Sequence, residues 1–258
     1  MTQLSMSQDS MPQPSITPYD SADTLLADLV DAFVDLAKTS IRQRGVFRVS
    51  LSGGSTPKRL YESLAKTDLD FSRVHWFWGD ERNVPHDHPE SNFRMVDRAM
   101  LKPAGVAAEC IFAVPVNVSD PAAAAREYES TLRREFAGAT MTYPTGTQPF
   151  PAWDLVLLGM GDDAHTASLF PDTPALDVCD RWFVENWVEK FATYRYTLTA
   201  PAINSGRQIW FLITGVSKRE AVARVIGAER NPRLYPAQLI RPTRYFVTSD
   251  ALPPAAAV

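Results

Sequence analysis

The stretch Gly161–Leu169, GDDAHTASL, sets one histidine beside two carboxylates directly after the apolar run DLVLLGM. Imidazole is the side chain that most readily moves a proton near neutral pH, and a carboxylate two residues away can either orient the ring or cap a helix. Asp154–Met160 reads as a buried strand, because Leu155, Val156, Leu157 and Leu158 are continuously apolar. Gly159 and Gly161 let the backbone turn at its carboxyl end. Asp162 or Asp163 is then expected to cap a short helix running from near Ala164 to Phe170, with Pro171 as its stop. On that reading His165 occupies the first turn, where the positive end of the helix dipole keeps the ring neutral. It is either a general base or a loop-capping residue, and the segment alone does not separate the two. For Asp163, capping is the simpler role. Ser168 is a poor nucleophile candidate, since no GxSxG elbow surrounds it.

Three further strand ends carry chemistry of a related kind. SGGSTPK at Ser52–Lys58 is a glycine turn feeding a helix, with Gly53 and Gly54 exposing backbone N–H groups and Ser52, Ser55 and Thr56 adding hydroxyls. Unsatisfied N–H groups and the dipole make such a junction a ready anion site. It matches neither GxxxxGK[ST] nor GxGxxG, and glycine turns of this kind also occur without a ligand. GDERNVP at Gly79–Pro85 places Asp80, Glu81 and Arg82 just past another apolar strand, as a solvated turn or as a hold on phosphate and sugar. His86 and His88 follow, flanked by Pro85 and Pro89; with no third ligand in reach they read as a surface loop, and no metal is predicted. ITGVSKREAV at Ile213–Val222 repeats the theme, with Gly215, a Ser217 cap and Lys218 on the first turn, a position that favours a nearby anion.

The elements that must position these residues alternate in type. Leu25, Leu29, Phe33, Ala37 and Ile41 recur at four-residue spacing and predict an amphipathic helix ending before Gly45. Strands are predicted at Val46–Leu51, Val74–Trp78, Ile111–Val114, Trp182–Val188, Tyr194–Thr199, Gln208–Thr214 and Tyr245–Val247. Helices are predicted after Pro57, over Glu90–Leu101, over Pro121–Ala137 and over Ser217–Ile226. The Gly/Pro-rich stretch at residues 138–152 reads as a loop, with a division into two lobes as one option. Strand–helix alternation implies an α/β fold, Rossmann-like, with a largely parallel sheet covered by helices on both faces. Residues 1–18 are expected as a disordered tail and 19–258 as a single α/β domain.

Composition narrows the function classes. The 258 residues suffice for a large core, with 45% apolar and 22% charged residues. With 26 Lys and Arg against 30 Asp and Glu, the net charge is −4, which argues against a nucleic-acid or anionic-membrane surface. Positive charge for an anionic ligand must therefore be supplied locally. Cys110 and Cys179 show no metal or disulfide spacing, which fits a reducing compartment. Residues 1–37 lack Lys and Arg, and no apolar run approaches a membrane span, so a cytoplasmic protein is expected.

SGGSTPKRLYESL, GDERNVPHDHPESNFRM, LGMGDDAHTASLFP, RYTLTAPAIN and TGVSKREAV, with YPAQ at Tyr235–Gln238, together resemble the successive motifs of the 6-phosphogluconolactonase family. The resemblance implies a nagB/RpiA-like fold and cofactor-free hydrolysis of 6-phospho-D-glucono-1,5-lactone in the pentose phosphate pathway, with a small phosphosugar as the partner and a monomer as the expected state. It implies that His165 is the catalytic base and that Arg82 and Lys218 bind phosphate with the Ser52–Thr56 turn. Arg195 is placed near the substrate. The family usually reads PDGH where this chain reads DDAH, so Asp162 replaces a proline and Ala164 a glycine. If position 164 needs a positive φ, alanine costs about 1 kcal/mol or more and can shift His165; if it is helical, alanine is harmless. The tail beyond Thr248 also departs from the family's more helical ending. Related aminosugar-phosphate deaminase/isomerases typically continue this turn with FNEP, whereas Ser168–Pro171 reads SLFP and favours the lactonase. A non-catalytic phosphosugar sensor would ordinarily bring a second domain, for which the short polar N-terminal tail leaves no room.

Overall fold

The computed structural model describes residues 13–142 and 148–254. In chain order the strands are β1 (Ser15–Tyr19), β2 (Phe47–Leu51), β3 (Val74–Trp78), β4 (Asp80–Arg82), β5 (Ile111–Phe112) and β6 (Thr140–Thr142). There follow β7 (Pro149–Pro151), β8 (Leu155–Leu158), β9 (Phe183–Val188), β10 (Thr193–Leu198), β11 (Ile209–Ile213) and β12 (Arg244–Thr248). The α-helices are α1 (Ala22–Arg44), α2 (Ser55–Leu64), α3 (Asn92–Val96), α4 (Pro121–Glu135), α5 (Ala200–Asn204) and α6 (Arg219–Ile226).

One sheet has the order β1-β12-β11-β8-β2-β3-β5, and each neighbouring pair runs parallel. Strands covered on both faces lose their alternation, and β8 and β11 are buried at every position. From β2 the chain winds outward through β3 to β5, and from β8 it winds the opposite way through β11 to β12. Right-handed crossovers then put α2 and α6 on opposite faces of the sheet. The reversal leaves a crevice between the carboxyl ends of β2 and β8, the place where open α/β sheets take their ligands.

Helix α1 shows why the local prediction held. Ser21 and Thr24 form a reciprocal capping box, and Gly45 at φ 80° closes the helix with its N–H on Ile41 O. Leu25, Leu29, Phe33 and Ala37 form one buried stripe.

A second, antiparallel sheet, β4-β10-β9, stands at the carboxyl end of β3. The residues of β9 and β10 were legible as strands, but not their departure from the parallel sheet. Glu189–Ala192 is too short for a parallel crossover, so the two must form a hairpin. Gly79 joins β3 to β4: its N–H reaches Leu51 O and its carbonyl takes Leu198 N–H. A Cβ there would lie 2.8 Å from Ser50 Oγ.

Three expectations are corrected. Ser15–Pro18, the end of the expected disordered tail 1–18, pairs with β12 together with Tyr19; the tail's first twelve residues lie outside the described ones. Within residues 138–152 the chain forms the antiparallel β6–β7 pair rather than a boundary between lobes, and residues 143–147 lie outside the description. The third concerns Ala164–Phe170, which contains no helix.

Candidate active site

A cavity of about 250 Å³ opens at the crevice. Its wall comprises Ser52–Pro57 after β2, Asp80 and Arg82 of β4, Gly159–Gly161 and His165–Ala167 after β8, Leu212–Thr214 at the end of β11, and Lys218. Ser52, Gly53, Gly54, Ser55, Thr56, Asp80, Arg82, His165 and Lys218, all expected from the sequence, meet here. Asp163 and Arg195 do not line it: Asp163 bonds His165, and Arg195 is paired with Arg82 across β10 and β4.

The β2–α2 turn supplies amides. Gly54, at φ 104°, is the N-cap, and no side chain caps the helix. The first-turn N–H groups of Ser55 and Thr56 therefore lack the partners that a serine or aspartate cap provides. Gly53 passes so close to α3 that a Cβ would lie 2.1 Å from Asn92 Oδ1, and Asn92 Nδ2 in turn donates to Asp80 O at 3.0 Å. Thr56 and Thr214 share a 2.8 Å hydroxyl contact that ties the ends of β2 and β11 together.

The loop after β8 is built differently. Gly161 N–H donates to His165 O at 2.9 Å, and Ala164 N–H donates back to Gly161 O at 3.0 Å. Ala164 lies at φ 60° and is buried. This is the pattern of a three-residue hairpin loop, in which a turn is followed by one left-handed residue. The expected helix fails because Ala164 and Ala167 are left-handed and the groups a helix would pair are taken otherwise: Ala164 O accepts from Ala237 N, and Ser168 N–H donates to Thr197 Oγ1 at 3.2 Å. Ala167 is again left-handed, at φ 48°, and Thr166 bridges to Leu169. The question left open at position 164 is resolved: alanine holds a conformation that costs an L-residue about 1–2 kcal/mol.

His165 is fixed by its neighbours rather than by a helix dipole. Its Nδ1 donates to Asp163 Oδ1 at 2.5 Å, and its ring stacks on Phe170 at 4.1 Å between centroids. Gly161 makes the room, since a Cβ there would fall 2.0 Å from Nδ1. Asp163 is thus a ring-orienting residue and caps nothing, which corrects the simpler expectation. The His165 hydrogen bond above all holds the Asp163 carboxyl well below the usual range, with Lys190 Nζ on Oδ2 at 3.1 Å adding to the effect. With the proton on Nδ1, Nε2 keeps its lone pair. An oriented imidazole with a free Nε2 lone pair in a cavity wall can take a proton from water.

Arg82 and Lys218 line the cavity, and Arg195 is the ladder partner of Arg82. Arg82 and Arg195 are directly opposite in the β4–β10 ladder, which places both side chains on one face. Burial first, then Arg82, lowers the Arg195 pKa from its ordinary value, and Arg195 lies 5.1 Å over the Phe191 ring. Asp80, Glu90 and Glu81 offset part of that lowering. Arg82 also donates to Glu90 O. Lys218 closes a 3-10 turn, Val216–Lys218, that opens at Gly215; Ser217 is not a cap as expected.

A family model described as glucosamine-6-phosphate isomerases/6-phosphogluconolactonase matches residues 20–249. The chain belongs to this family. It is 44% identical over 218 residues to the 6-phosphogluconolactonase of Nostoc sp., covering 84% of this chain and 87% of that protein. With the Synechocystis sp. 6-phosphogluconolactonase it shares 43% identity over 203 residues, 79% of this chain and 81% of the relative. Among solved structures, the 6-phosphogluconolactonase from Trypanosoma cruzi matches with a TM-score of 0.82 at 27% identity, over 93% of this chain and 96% of that one. A monomeric glucosamine-6-phosphate deaminase, at 19% identity and a TM-score of 0.74, shares the fold.

Other polar groups near the family motifs have structural work. Glu81 is buried and accepts N–H groups from Arg82, Asn92 and Phe93; burial pushes its pKa up against those bonds. Ser168 is buried and donates to Asp80 Oδ2 at 3.2 Å. His86 bonds Val114 O and stacks on Phe93, while His88 Nδ1 accepts from Glu90 N. Sequence reasoning missed Thr166, Thr214, Phe170 and Lys190. Only Thr214, beside Gly215 at a strand end, carried a signal.

Proposed function

We propose that this chain hydrolyses 6-phospho-D-glucono-1,5-lactone to 6-phospho-D-gluconate, with His165 as general base. The observation that carries the reading is the Asp163–His165 pair, 2.5 Å apart, on the cavity that also receives Arg82, Lys218 and the start of α2. The high identity to relatives named for this activity supports the substrate.

Phosphate is held by Arg82, Arg195, Lys218 and the Ser55 and Thr56 amides, which supply locally the positive charge that the acidic chain lacks overall. Nε2 of His165 takes a proton from water as the oxygen attacks C1, and the C1–O double bond opens to an oxyanion. Backbone N–H groups around the cavity stabilise that charge. The protonated ring, steadied by Asp163, then returns the proton to the departing ring oxygen, and the C1–O ring bond breaks. Water is the only co-reactant.

The test compares turnover of enzymatically generated phosphogluconolactone with that of unphosphorylated gluconolactone, subtracting spontaneous opening at each pH. Phosphate also positions the lactone, so the unphosphorylated compound is expected to be a poor substrate. Lys218→Ala should raise KM by about 10- to 150-fold, the worth of a charge-assisted hydrogen bond. Equal turnover of the two lactones, or ammonia release from glucosamine 6-phosphate at a comparable rate, would contradict the assignment.

A further inference from the structure

One ion pair in this site engages a cation proposed to hold phosphate. Lys218 Nζ lies 2.5 Å from Asp162 Oδ1, and the lysine is 26% exposed in the cavity wall while the aspartate, which does not line the cavity, is 70% exposed. Asp162 sits one residue past Gly161, in the tight loop closed by the Gly161–His165 and Ala164–Gly161 hydrogen bonds. The neighbouring Asp163 cannot play the same part, because its two oxygens are committed to His165 and Lys190.

We propose that Asp162 is a resident competitor for Lys218, a carboxylate that occupies the lysine between turnovers and sets how tightly substrate and product phosphate are held. The inference rests on the proposed phosphate role of Lys218. An incoming phosphate meets Asp162 as a rival acceptor for the same ammonium and as a like charge beside it. Hydrolysis then adds a second anionic group, because the product carries a new carboxylate as well as the phosphate. A site with two arginines, a lysine and a helix start would retain such a product strongly. Asp162 can take Lys218 back as the phosphate leaves, which lowers the barrier to release. Its exposure keeps the effect small, in the range of a solvent-exposed ion pair.

The experiment uses the full chain and its Asp162→Asn, Asp162→Glu and Lys218→Met variants. Three quantities are measured: KM for the phosphorylated lactone, inhibition by 6-phosphogluconate, and calorimetric binding of inorganic phosphate. In Asp162→Asn all three constants are expected to fall by about two- to fivefold, and the change should shrink in high salt. Asp162→Glu, which keeps the charge, is expected to stay close to wild type. If Lys218→Met weakens phosphate while Asp162→Asn leaves it unchanged or weakens it too, Asp162 is not a competitor. If Lys218→Met leaves phosphate binding unchanged, the phosphate role of Lys218 fails, and the proposal with it.

Discussion

Two loops face each other across the crevice, one after β2 and one after β8, and they reach the cavity by opposite means. The first is regular: a glycine N-cap at φ 104° hands the chain to a ten-residue helix whose first amides line the site. The second is irregular, with Ala164 and Ala167 held at φ 60° and 48° and no helix at all. Backbone amides that bind need only the repeating geometry of a helix end. A single imidazole that must point one nitrogen at water needs a carboxylate, a stacking ring and a glycine under it, as Asp163, Phe170 and Gly161 provide for His165. The strain sits where the proposed chemistry is, and the regular structure sits where phosphate is proposed to bind.

The contrast is sharpened most by Asp163→Asn, which leaves the β2–α2 loop untouched. Its amide can present a donor to Nδ1 and reverse the tautomer, so kcat should fall by about 10²–10³-fold with KM little changed. An equal rise in KM would mean that the carboxylate serves binding. Stability gives a second reading of the same residue. Because its pKa is depressed in the folded state, the Asp163 carboxylate stabilises the protein above the unfolded carboxylate pKa of about 3.9. That contribution is lost as pH falls through the lower folded value. The difference in Tm between wild type and Asp163→Asn should therefore be present at pH 7 and shrink on acidification below about 4; a difference independent of pH would place its origin elsewhere.

A smaller effect separates the two left-handed positions. Gly54→Ala should cost about 1–3 kcal/mol, because φ 104° is a glycine region, although a Cβ would meet nothing closer than 3.8 Å. Ala164→Gly relieves about 1–2 kcal/mol of left-handed strain and loses about 0.8 kcal/mol of buried methyl plus glycine's added freedom in the unfolded chain. The net change should stay within about 1 kcal/mol in urea denaturation. A loss above about 2 kcal/mol, as for an ordinary core truncation, would show that the φ of Ala164 carries no strain.

The same pair of loops explains what was legible in the sequence. Continuous apolar runs such as Leu155–Leu158 announced buried parallel strands, and the four-residue spacing of Leu25 to Ala37 announced α1, because both depend on local periodicity. SGGSTP announces a glycine turn feeding a helix, although the helix begins at Ser55 rather than at Pro57. DDAHTASLF offered equally good helix signals and was misread. What unmade the helix was Ala237 capturing the Ala164 carbonyl and Thr197 capturing the Ser168 N–H, both contacts coming from far along the chain. The Asp162–Lys218 pair spans 56 positions and had no local trace. Arg82 and Arg195 were each singled out, but their pairing across β4 and β10 depends on a strand register no motif encodes.

The account rests most heavily on His165 as the base, and the direct measurement is the pH profile of kcat and kcat/KM for wild type against His165→Ala. The uncatalysed opening rate is subtracted at every point, and folding is checked by thermal denaturation. The account predicts a fall in kcat of about 10²–10⁴-fold in a folded variant, with the acid limb of the wild-type profile absent. A folded His165→Ala enzyme with near-wild-type turnover and the same acid limb would contradict it.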